Sequence, residues 1–402
     1  MKRVILRAVL CLMVCVLCFT GCTNQEEGFA DERFINSQMD LYVEMFQASV
    51  LEKQGENLLI SPLSVQVALA LAANGAAGET RAEMEAVLGG DMALEELNHC
   101  LRSYINILPS KEGYKLKLAN SIWMRDNGDI EFKRDFLKVN EDYYGAQSYK
   151  VPFDSQTVED INDWVKRHTD GVIDSIVEQI NADTMMYLIS AVYFDAEWLE
   201  QYPEVNVQEG IFTAVSGEKR TVEMMHSIEN KYIRGRNVTG IIKDYAGGQY
   251  SFAVLLPSQN IDIYDYIAQL DGQSLLEIFK NVQDSPVQAS MPKFSCTFDM
   301  NMKDVLMEMG MQSAFSDKAD FSNMAEVTAG ELSINNVQHK TYISVAEQGT
   351  VAGAVSSVEM TSGSKPQTSP LVIQFDRPFV FMIIDNSSYL PLFMGVLADT
   401  QG

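Results

Sequence analysis

Residues 347–360 read Glu347-Gln-Gly-Thr-Val-Ala-Gly-Ala-Val-Ser-Ser-Val-Glu-Met360, a stretch rich in small residues. Alternate side chains of a β-strand point to opposite faces of its sheet. If the strand starts at Glu347, one face carries uncharged and mostly small residues: Thr350, Ala352, Ala354, Ser356, Val358, Met360 and Ser362. The other face carries Val351, Gly353, Val355, Ser357, Glu359 and Thr361. The pattern predicts a strand that can enter a sheet with the first face buried, because a one-residue shift would bury Glu359.

Other apolar runs of strand length lie mainly in the second half of the chain. The longest is Met-Met-Tyr-Leu-Ile-Ser-Ala-Val-Tyr-Phe at residues 185–194, which predicts a strand covered on both faces. Further strands are predicted at residues 250–256, 287–294, 371–375, 379–384 and 392–396, with a turn at 385–388.

Helix signals gather in the first half. Ser61-Pro62 predicts the start of a helix over residues 63–73. Thr80 and Glu83 have the spacing of a capping box at the start of a second helix, and a third is predicted to begin at Thr157. Helices followed by strands favour an α+β fold over regular βαβ alternation.

The first 21 residues predict a lipoprotein signal peptide. Three basic residues precede an apolar run, which ends in Phe19-Thr-Gly-Cys22. In this interpretation Cys22 is lipidated and begins the mature protein, and residues 22–30 form a tether to a single domain at 31–402. An ordinary signal peptide cleaved nearby is the alternative. The protein is therefore expected to be exported, either lipid-anchored at the bacterial cell envelope (outer membrane or cell surface) or secreted, and its lipid is its only expected contact with a membrane.

Cysteine content and charge exclude several classes of protein. Within the predicted domain at 31–402 the cysteines are Cys100 and Cys296, which cannot make a disulfide framework and are expected to be free. The chain has 30 basic and 55 acidic residues; without the three bases of the signal, 27 basic residues remain against 55 acidic ones, a net charge of −28. A surface of that sign repels nucleic acid, so no nucleic-acid partner is expected.

No catalytic or metal motif marks the chain as an enzyme. The four histidines, His99, His168, His226 and His339, include no pair at i,i+4 spacing, and neither a Gly-x-Ser-x-Gly elbow nor a phosphate-binding glycine loop occurs. The sequence thus indicates no metal and no cofactor. A hydrolase with dispersed catalytic residues remains an alternative.

An ordered series of segments between residues 34 and 398 resembles the serpin family of protease inhibitors. The segments are Asn57-Leu-Leu-Ile-Ser-Pro-Leu-Ser-Val65, Gly75-Ala-Ala-Gly-Glu-Thr80, Ile161-Asn-Asp-Trp-Val165, Thr169-Asp-Gly171, Ala191-Val-Tyr-Phe-Asp-Ala-Glu-Trp198, Val222-Glu-Met-Met225, Met291-Pro-Lys-Phe294, Met309-Gly-Met311, Ala319-Asp-Phe-Ser322, Val337-Gln-His-Lys340, Glu347-Gln-Gly-Thr350, Arg377-Pro-Phe-Val-Phe381 and Pro391-Leu-Phe-Met-Gly395. The resemblance implies one domain with three β-sheets, eight to nine helices and an exposed reactive-centre loop at about residues 347–370.

The resemblance also implies a function. A serpin is a suicide substrate, which holds a serine protease, or a papain-like cysteine protease, as a covalent acyl complex while the cleaved loop inserts into the main sheet. It would act as a monomer and not as an enzyme. A non-inhibitory serpin that serves as a binding or storage protein is the alternative, and a charged or bulky residue on the buried face of the loop would favour it.

Three groups of residues match functional regions of the family. The hinge of the loop comprises Glu347, Gly349, Thr350, Ala352, Gly353 and Ala354. The shutter, a polar cluster beneath the opening sheet, comprises Ser61, Ser64, Ser190 and His339; the family usually has Asn where this chain has Ser190, so an unsatisfied polar group is expected there. The breach, where insertion begins, comprises Trp198, Lys293 and Glu347, with the last two expected to form an ion pair.

The reactive bond is predicted by counting along the loop. The family's usual distance forward from Glu347 gives Gly363-Ser364, whereas counting back from Pro378 ends near Gln367. Insertion depends on the forward length, so Gly363-Ser364 is favoured, with Met360, Thr361 and Ser362 as rivals. Lys365 precedes Pro366, a bond that trypsin-like proteases cleave poorly. The expected targets therefore prefer small or apolar residues, as elastase-like and subtilisin-like proteases do.

Overall fold

The computed structural model describes residues 31–108, 113–126, 128, 130–181, 184–327, 332–350 and 371–401. All statements about the structure concern these residues. The predicted residues of the signal peptide, the tether and most of the reactive-centre loop lie outside them.

Nine α-helices lie in the described part of the chain. They are α1 (Glu32–Glu52), α2 (Pro62–Ala73), α3 (Gly78–Gly89), α4 (Leu94–Ile107), α5 (Arg134–Tyr144), α6 (Ser155–His168), α7 (Ile263–Ala268), α8 (Gly272–Lys280) and α9 (Lys303–Glu308). The described part of the chain also contains two short 3₁₀ helices, at Glu204–Asn206 and Ser313–Phe315.

The strands alternate with these helices and dominate the second half. They are β1 (Leu58–Ile60), β2 (Tyr114–Arg125), β3 (Ile130–Phe132), β4 (Gln147–Val151), β5 (Met186–Glu197), β6 (Val207–Thr213), β7 (Lys219–Arg234), β8 (Val238–Asp244), β9 (Tyr250–Pro257), β10 (Gln283–Pro292), β11 (Phe294–Asn301), β12 (Ala325–Val327), β13 (Gln338–Val345), β14 (Gly349–Thr350), β15 (Leu371–Gln374), β16 (Phe379–Asp385) and β17 (Pro391–Leu397).

These strands form three sheets, which confirms the predicted α+β class. The largest has the order β1-β17-β16-β9-β8-β7-β10-β15, with β6 paired to β7. The second has the order β11-β13-β14-β5-β2-β4, and a small third sheet pairs β12 with β3. The second sheet contains β13, which precedes the predicted reactive-centre loop, and β14, which lies at the start of that loop. We call this six-stranded sheet the main sheet.

Helix α2 is buried between the main sheet and the largest sheet. It packs against β5 on one side and β17 on the other. Its sequence, Pro-Leu-Ser-Val-Gln-Val-Ala-Leu-Ala-Leu-Ala-Ala, is apolar on nearly every face, as a helix without a solvent side requires. Among the described residues no helix combines the length and the apolarity that a membrane span needs.

Two predicted helix starts are wrong. Helix α3 begins at Gly78, two residues before the predicted start, and Thr80 and Glu83 do not cap it. The Thr80 hydroxyl instead accepts a hydrogen bond from the Asp320 amide, and Glu83 accepts hydrogen bonds from the amide and the hydroxyl of Ser313. Helix α6 begins at Ser155, where Asp154 accepts from the Thr157 amide at 3.1 Å. In α3, long-range partners replaced the local cap that the spacing indicated.

Strand β5 is less covered than its apolar sequence predicts. Ile189, Ala191 and Tyr193 are buried on one face, whereas Leu188, Ser190 and Val192 between them are partly exposed. The prediction that both faces of this strand are covered is therefore confirmed only in part: Leu188 and Val192 pack against the large core, but their face is not fully buried.

Candidate functional site

Strand β14 joins the two central strands of the main sheet. Gly349 pairs with Glu197 and Thr350 with Ala196 on β5, while Thr350 also pairs with Val345 on β13. In the described part of the chain, β5 and β13 do not pair directly with each other anywhere along their length. Residues 346–350, which we call the entry segment, therefore begin an additional strand between two strands that are otherwise unpaired on those edges in the described part.

Both residues of β14 fit closely into the sheet. A Cβ atom on Gly349 would lie 2.0 Å from the Ala196 carbonyl oxygen and 2.8 Å from the Glu197 Cα, so the site has no room for a side chain. Thr350, which the alternation assigns to the buried face, is 1% exposed, and its hydroxyl is hydrogen-bonded to the buried Tyr245 hydroxyl. The first inward residue of the loop thus already occupies the core.

Two aromatic residues hold the carbonyl groups of the entry segment. The Trp198 amide donates to the Gln348 carbonyl and its indole Nε1 donates to the Ala346 carbonyl, both at 2.8 Å. The Tyr202 amide donates to the Glu347 carbonyl at 3.0 Å. We call Trp198 and Tyr202 the aromatic pair. Trp198 is further fixed by stacking on Tyr245, with ring centroids 4.5 Å apart.

The two charged residues expected at the breach are in contact. Lys293 Nζ lies 2.9 Å from Glu347 Oε1 and 3.1 Å from Glu223 Oε2. Partial burial is the largest single influence on the Glu347 carboxyl and opposes its ionisation, but the hydrogen bond from Lys293, a backbone hydrogen bond and the charge of Lys293 together outweigh it, so the pKa of Glu347 is lowered. The hydrogen bond to Glu347 in turn raises the pKa of Lys293. Glu347 is therefore ionised at neutral pH and tied to the end of β10.

The four residues expected at the shutter connect α2 with the main sheet. The Ser61 amide donates to His339 Nε2 on β13 at 3.0 Å, and the Ser64 hydroxyl donates to the Ser190 carbonyl on β5 at 2.8 Å. Because Nε2 accepts this hydrogen bond from the Ser61 amide, His339 is neutral with its proton on Nδ1. Burial lowers the pKa of His339 to about 4.

Several polar atoms of this cluster have no protein partner in the described part of the chain. They are the hydroxyls of Ser61 and Ser190 and the Oδ1 atom of Asn120. Asn120 lies opposite Ser190 in the ladder between β2 and β5. The short side chain of Ser190 thus leaves unsatisfied groups beside it, which costs about 1–3 kcal/mol for each buried group.

A cavity of about 530 Å³ lies near the other end of the main sheet. It is lined by α2, by the start of β5, by residues 176–179, Asn181 and Thr184 before β5, and by residues 332–338 at and before the start of β13. The cavity therefore opens between the same two strands that the entry segment separates.

Sequence reasoning missed three groups at this site: Tyr245, Tyr202 and Asn120. Each lies on an element distant in the chain from residue 350, and nothing in its local sequence indicates a contact with the loop. The predicted residues Cys22, Ala352, Gly353, Ala354, Met360, Thr361, Ser362, Gly363 and Ser364 lie outside the described residues.

The main sheet thus holds the entry segment between its two central strands, β5 and β13. Residues 36–400 match the family model described as Serpin (serine protease inhibitor), and the chain belongs to the serpin family. Members of this family are in general protease inhibitors rather than enzymes.

Two curated relatives illustrate the range of similarity. An uncharacterised serpin-like protein of Thermococcus kodakarensis is 32% identical over 374 residues, which cover 90% of this chain and 84% of that protein. The intracellular coagulation inhibitor 2 of Tachypleus tridentatus is 29% identical over 400 residues, which cover 96% and 97% of the two chains.

Two crystal structures of Tengpin, a thermophilic serpin, share this fold. The native-state structure superimposes with a TM-score of 0.88 at 46% identity, covering 92% of this chain and 95% of that one. The latent-state structure gives 0.81 at 44% identity, covering 91% and 97%. The structure described here is thus more similar to the native state.

Proposed function

We propose that the protein is a suicide-substrate inhibitor of serine proteases, or of papain-like cysteine proteases, which it holds as a covalent acyl complex. The observation that carries the proposal is the position of β14. Gly349 and Thr350 are already paired between β13 and β5, and Thr350 is buried in the phase that the loop sequence requires. Continuing that strand would bury uncharged residues and leave Glu359 outside.

The reaction begins as ordinary proteolysis. The catalytic Ser or Cys of the target attacks the carbonyl carbon of Gly363, the Gly363-Ser364 bond breaks, and Ser364 leaves with a new amino terminus. Gly363 remains bound to the enzyme as an ester or thioester. The freed segment is then able to extend β14 between β5 and β13 and to carry the attached protease with it.

The magnitudes favour insertion over release. About a dozen inserted residues add roughly that many ladder hydrogen bonds, each contributing about 1 kcal/mol net. Displacing one oxyanion-hole donor of the protease slows its turnover by the equivalent of about 3–4 kcal/mol. The free energy gained by insertion therefore exceeds the free energy needed to stop hydrolysis of the acyl complex.

We propose that the targets are elastase-like or subtilisin-like proteases. The residues from Met360 to Ser364 are small or apolar, so they fit pockets that prefer such side chains, and the one basic residue nearby, Lys365, precedes Pro366. The inhibitor acts as a monomer, since one loop and one main sheet belong to the same chain.

We further propose that Cys22 anchors the protein to the cell envelope. Each buried CH₂ of a lipid chain contributes about 0.8 kcal/mol, so several chains give stable attachment. Expression with radiolabelled palmitate tests this. The wild type should be labelled and should fractionate with membranes, whereas the Cys22→Ala variant should be unlabelled and should not fractionate with membranes. A soluble, unlabelled wild type would contradict the lipid anchor and favour an ordinary signal peptide with secretion.

Incubation of the mature protein with a panel of serine and cysteine proteases tests the inhibitory function. A complex that survives denaturing gel electrophoresis is expected with at least one elastase-like or subtilisin-like enzyme. Mass spectrometry of the released peptide then identifies the bond among Met360, Thr361, Ser362 and Gly363. Cleavage in the loop without a stable complex for every enzyme would contradict the proposal and favour a binding or storage protein.

A further inference from the structure

A buried ion pair lies directly behind the aromatic pair. Lys243 on β8 is 3% exposed and Glu229 on β7 is 8% exposed, and Lys243 Nζ donates to Glu229 Oε1 at 2.8 Å. The Ser227 hydroxyl donates to the same carboxylate oxygen at 2.7 Å. Within the described part of the chain, Lys243 is the one lysine or arginine that is buried.

The ammonium group of Lys243 also faces both members of the aromatic pair. Its Nζ lies 4.4 Å from the ring centroid of Tyr202 and 5.6 Å from that of Trp198. At these distances the cation is attracted to the negative faces of both rings, and burial strengthens the attraction. The carboxylate of Glu229 fixes the position of the cation, and the cation fixes the two rings.

These two rings belong to the residues that hold the entry segment. The hydrogen bonds from Trp198 and Tyr202 reach the carbonyl groups of Ala346, Glu347 and Gln348. A continuous series of contacts therefore runs from Glu229 through Lys243 and the aromatic pair to the first residues that must move when the main sheet opens.

Stability alone is a poor explanation for this ion pair. Apolar side chains of similar volume are as stabilising as a buried ion pair, or more so, because both charges must be desolvated. The exposed pair Lys231–Asp244, at 2.7 Å on the same two strands, shows that these strands accommodate an ion pair without burying it. What distinguishes the buried pair is that it places the Lys243 cation against the rings of Trp198 and Tyr202.

We propose that Glu229 and Lys243 are positioning residues for loop insertion: they hold the aromatic pair on the entry segment and so set the barrier to opening the main sheet. The proposal rests on the inhibitory function. Its consequence is that removing both charges loosens the entry segment. Loss of a desolvated cation–π contact of ordinary strength corresponds to a rate increase of roughly tenfold for spontaneous insertion.

The test replaces both charges together, as Glu229→Leu with Lys243→Met, so that no unpaired charge remains buried. The protein is labelled with 5-fluorotryptophan, and Trp198→Phe assigns its ¹⁹F resonance. We expect the Trp198 resonance to shift and broaden while Trp123 and Trp164 stay unchanged. Amide hydrogen exchange of residues 346–348 should accelerate, and the rate of spontaneous loop insertion at 37 °C should rise roughly tenfold.

Two further variants make the result specific. Lys231→Met removes a lysine from the exposed pair on the same strands and should leave the ¹⁹F spectrum, exchange and insertion rate unchanged. Lys243→Arg keeps the cation and should behave close to wild type even if the double variant folds poorly. An unmoved Trp198 resonance in the double variant, or equal effects of Lys231→Met, would overturn the proposal.

The spectroscopic arm separates this inference from the inhibitory function. If no protease forms a complex, but the Trp198 resonance and the exchange of residues 346–348 respond to the double variant, then the holding role stands and inhibition fails. If complexes form and those two measurements do not respond, the inhibitory function stands and the positioning role fails.

Discussion

At the scale of single residues, Gly349 shows how little space the entry segment has. Only glycine fits at this position, because a Cβ atom would collide with backbone atoms of β5. These backbone atoms cannot move aside as the end of a flexible side chain can. A residue at this position is therefore constrained by the native sheet itself, before any insertion takes place.

We predict that Gly349→Ala destabilises the native state by about 1–3 kcal/mol, because the new Cβ would lie 2.0 Å from the Ala196 carbonyl oxygen. Urea unfolding followed by circular dichroism measures this, through the midpoint of the first transition. Gly89→Ala is the matched control, because its Cβ would meet Met92 at an ordinary 3.5 Å. Equal midpoints for the wild type and Gly349→Ala would show that β14 is not formed in solution.

His339 gives a prediction about pH. Burial lowers its pKa from 6.5 to about 4, so the unfolded chain binds a proton more readily than the native state between these values. The stabilisation is present above pH 6.5 and is lost as the pH falls towards 4, by about 3 kcal/mol in all. His339→Gln keeps an acceptor for the Ser61 amide but cannot titrate.

Urea unfolding at pH 7, 5.5 and 4.5 checks this prediction. The wild type should lose more stability than His339→Gln over this interval, because carboxylates titrate in both proteins and the histidine in one. Parallel pH profiles for the two proteins would show that His339 is not buried in its neutral form in solution.

The residues of the site differ in how far the sequence reveals them. Thr350, Glu347 and Lys293 were predictable, because the strand period assigns Thr350 to the buried face and the family resemblance pairs the two charges. Tyr245 and Lys243 were not, because β8 is about a hundred residues from the loop and only the packing of two sheets brings them together. The capping box predicted at Thr80 and Glu83 was wrong, because both side chains bind partners that are distant in the chain instead of capping a helix.

At the scale of elements, the same contrast separates buried strands from half-exposed ones. The mainly apolar strands β9, β16 and β17 were predicted to within one or two residues, because every position of each is buried. Strand β7 was missed: it is 16 residues long, carries many charges and changes partners along its length. The predicted strand at 287–294 spans the junction of β10 and β11, which belong to different sheets.

In the proposed mechanism, inhibition depends on extension of β14, and the two faces of the extended strand should respond differently to charge. We predict that Ala354→Arg converts the inhibitor into a substrate, because its inward phase would bury an unpaired charge, at a cost of several kcal/mol. Insertion would then be slower than hydrolysis of the acyl complex. The number of inhibitor molecules consumed per protease molecule should rise at least about tenfold.

The neighbouring variant Val355→Arg is the control for this prediction. It adds the same charge one residue further on, in the outward phase, and should inhibit nearly as well as the wild type. Titration of a target protease with each variant gives the stoichiometry. Equal stoichiometry for Ala354→Arg and Val355→Arg would show that the phase assigned from Thr350 is wrong.

At the scale of the whole molecule, the main sheet has strand edges and polar groups that an additional strand could satisfy. Strands β5 and β13 are joined through two residues of β14 in the described part of the chain, and polar atoms at Ser61, Ser190 and Asn120 have no protein partner there. A compact chain with this arrangement gains further hydrogen bonds if one more strand enters the sheet. We therefore expect the native state to be less stable than the state with the loop inserted.

We predict that cleavage of the loop raises the thermal midpoint by about 20 °C, because about a dozen new ladder bonds contribute roughly 12 kcal/mol to a chain of this size. Differential scanning calorimetry of the intact and the cleaved protein measures the shift, with cleavage by a protease that forms no complex. Ala354→Arg, cleaved in the same way, should show a much smaller shift, since the new charge opposes insertion. A cleaved wild type that melts at the temperature of the intact protein would mean that its main sheet does not accept the loop, and the chain would then be a non-inhibitory serpin.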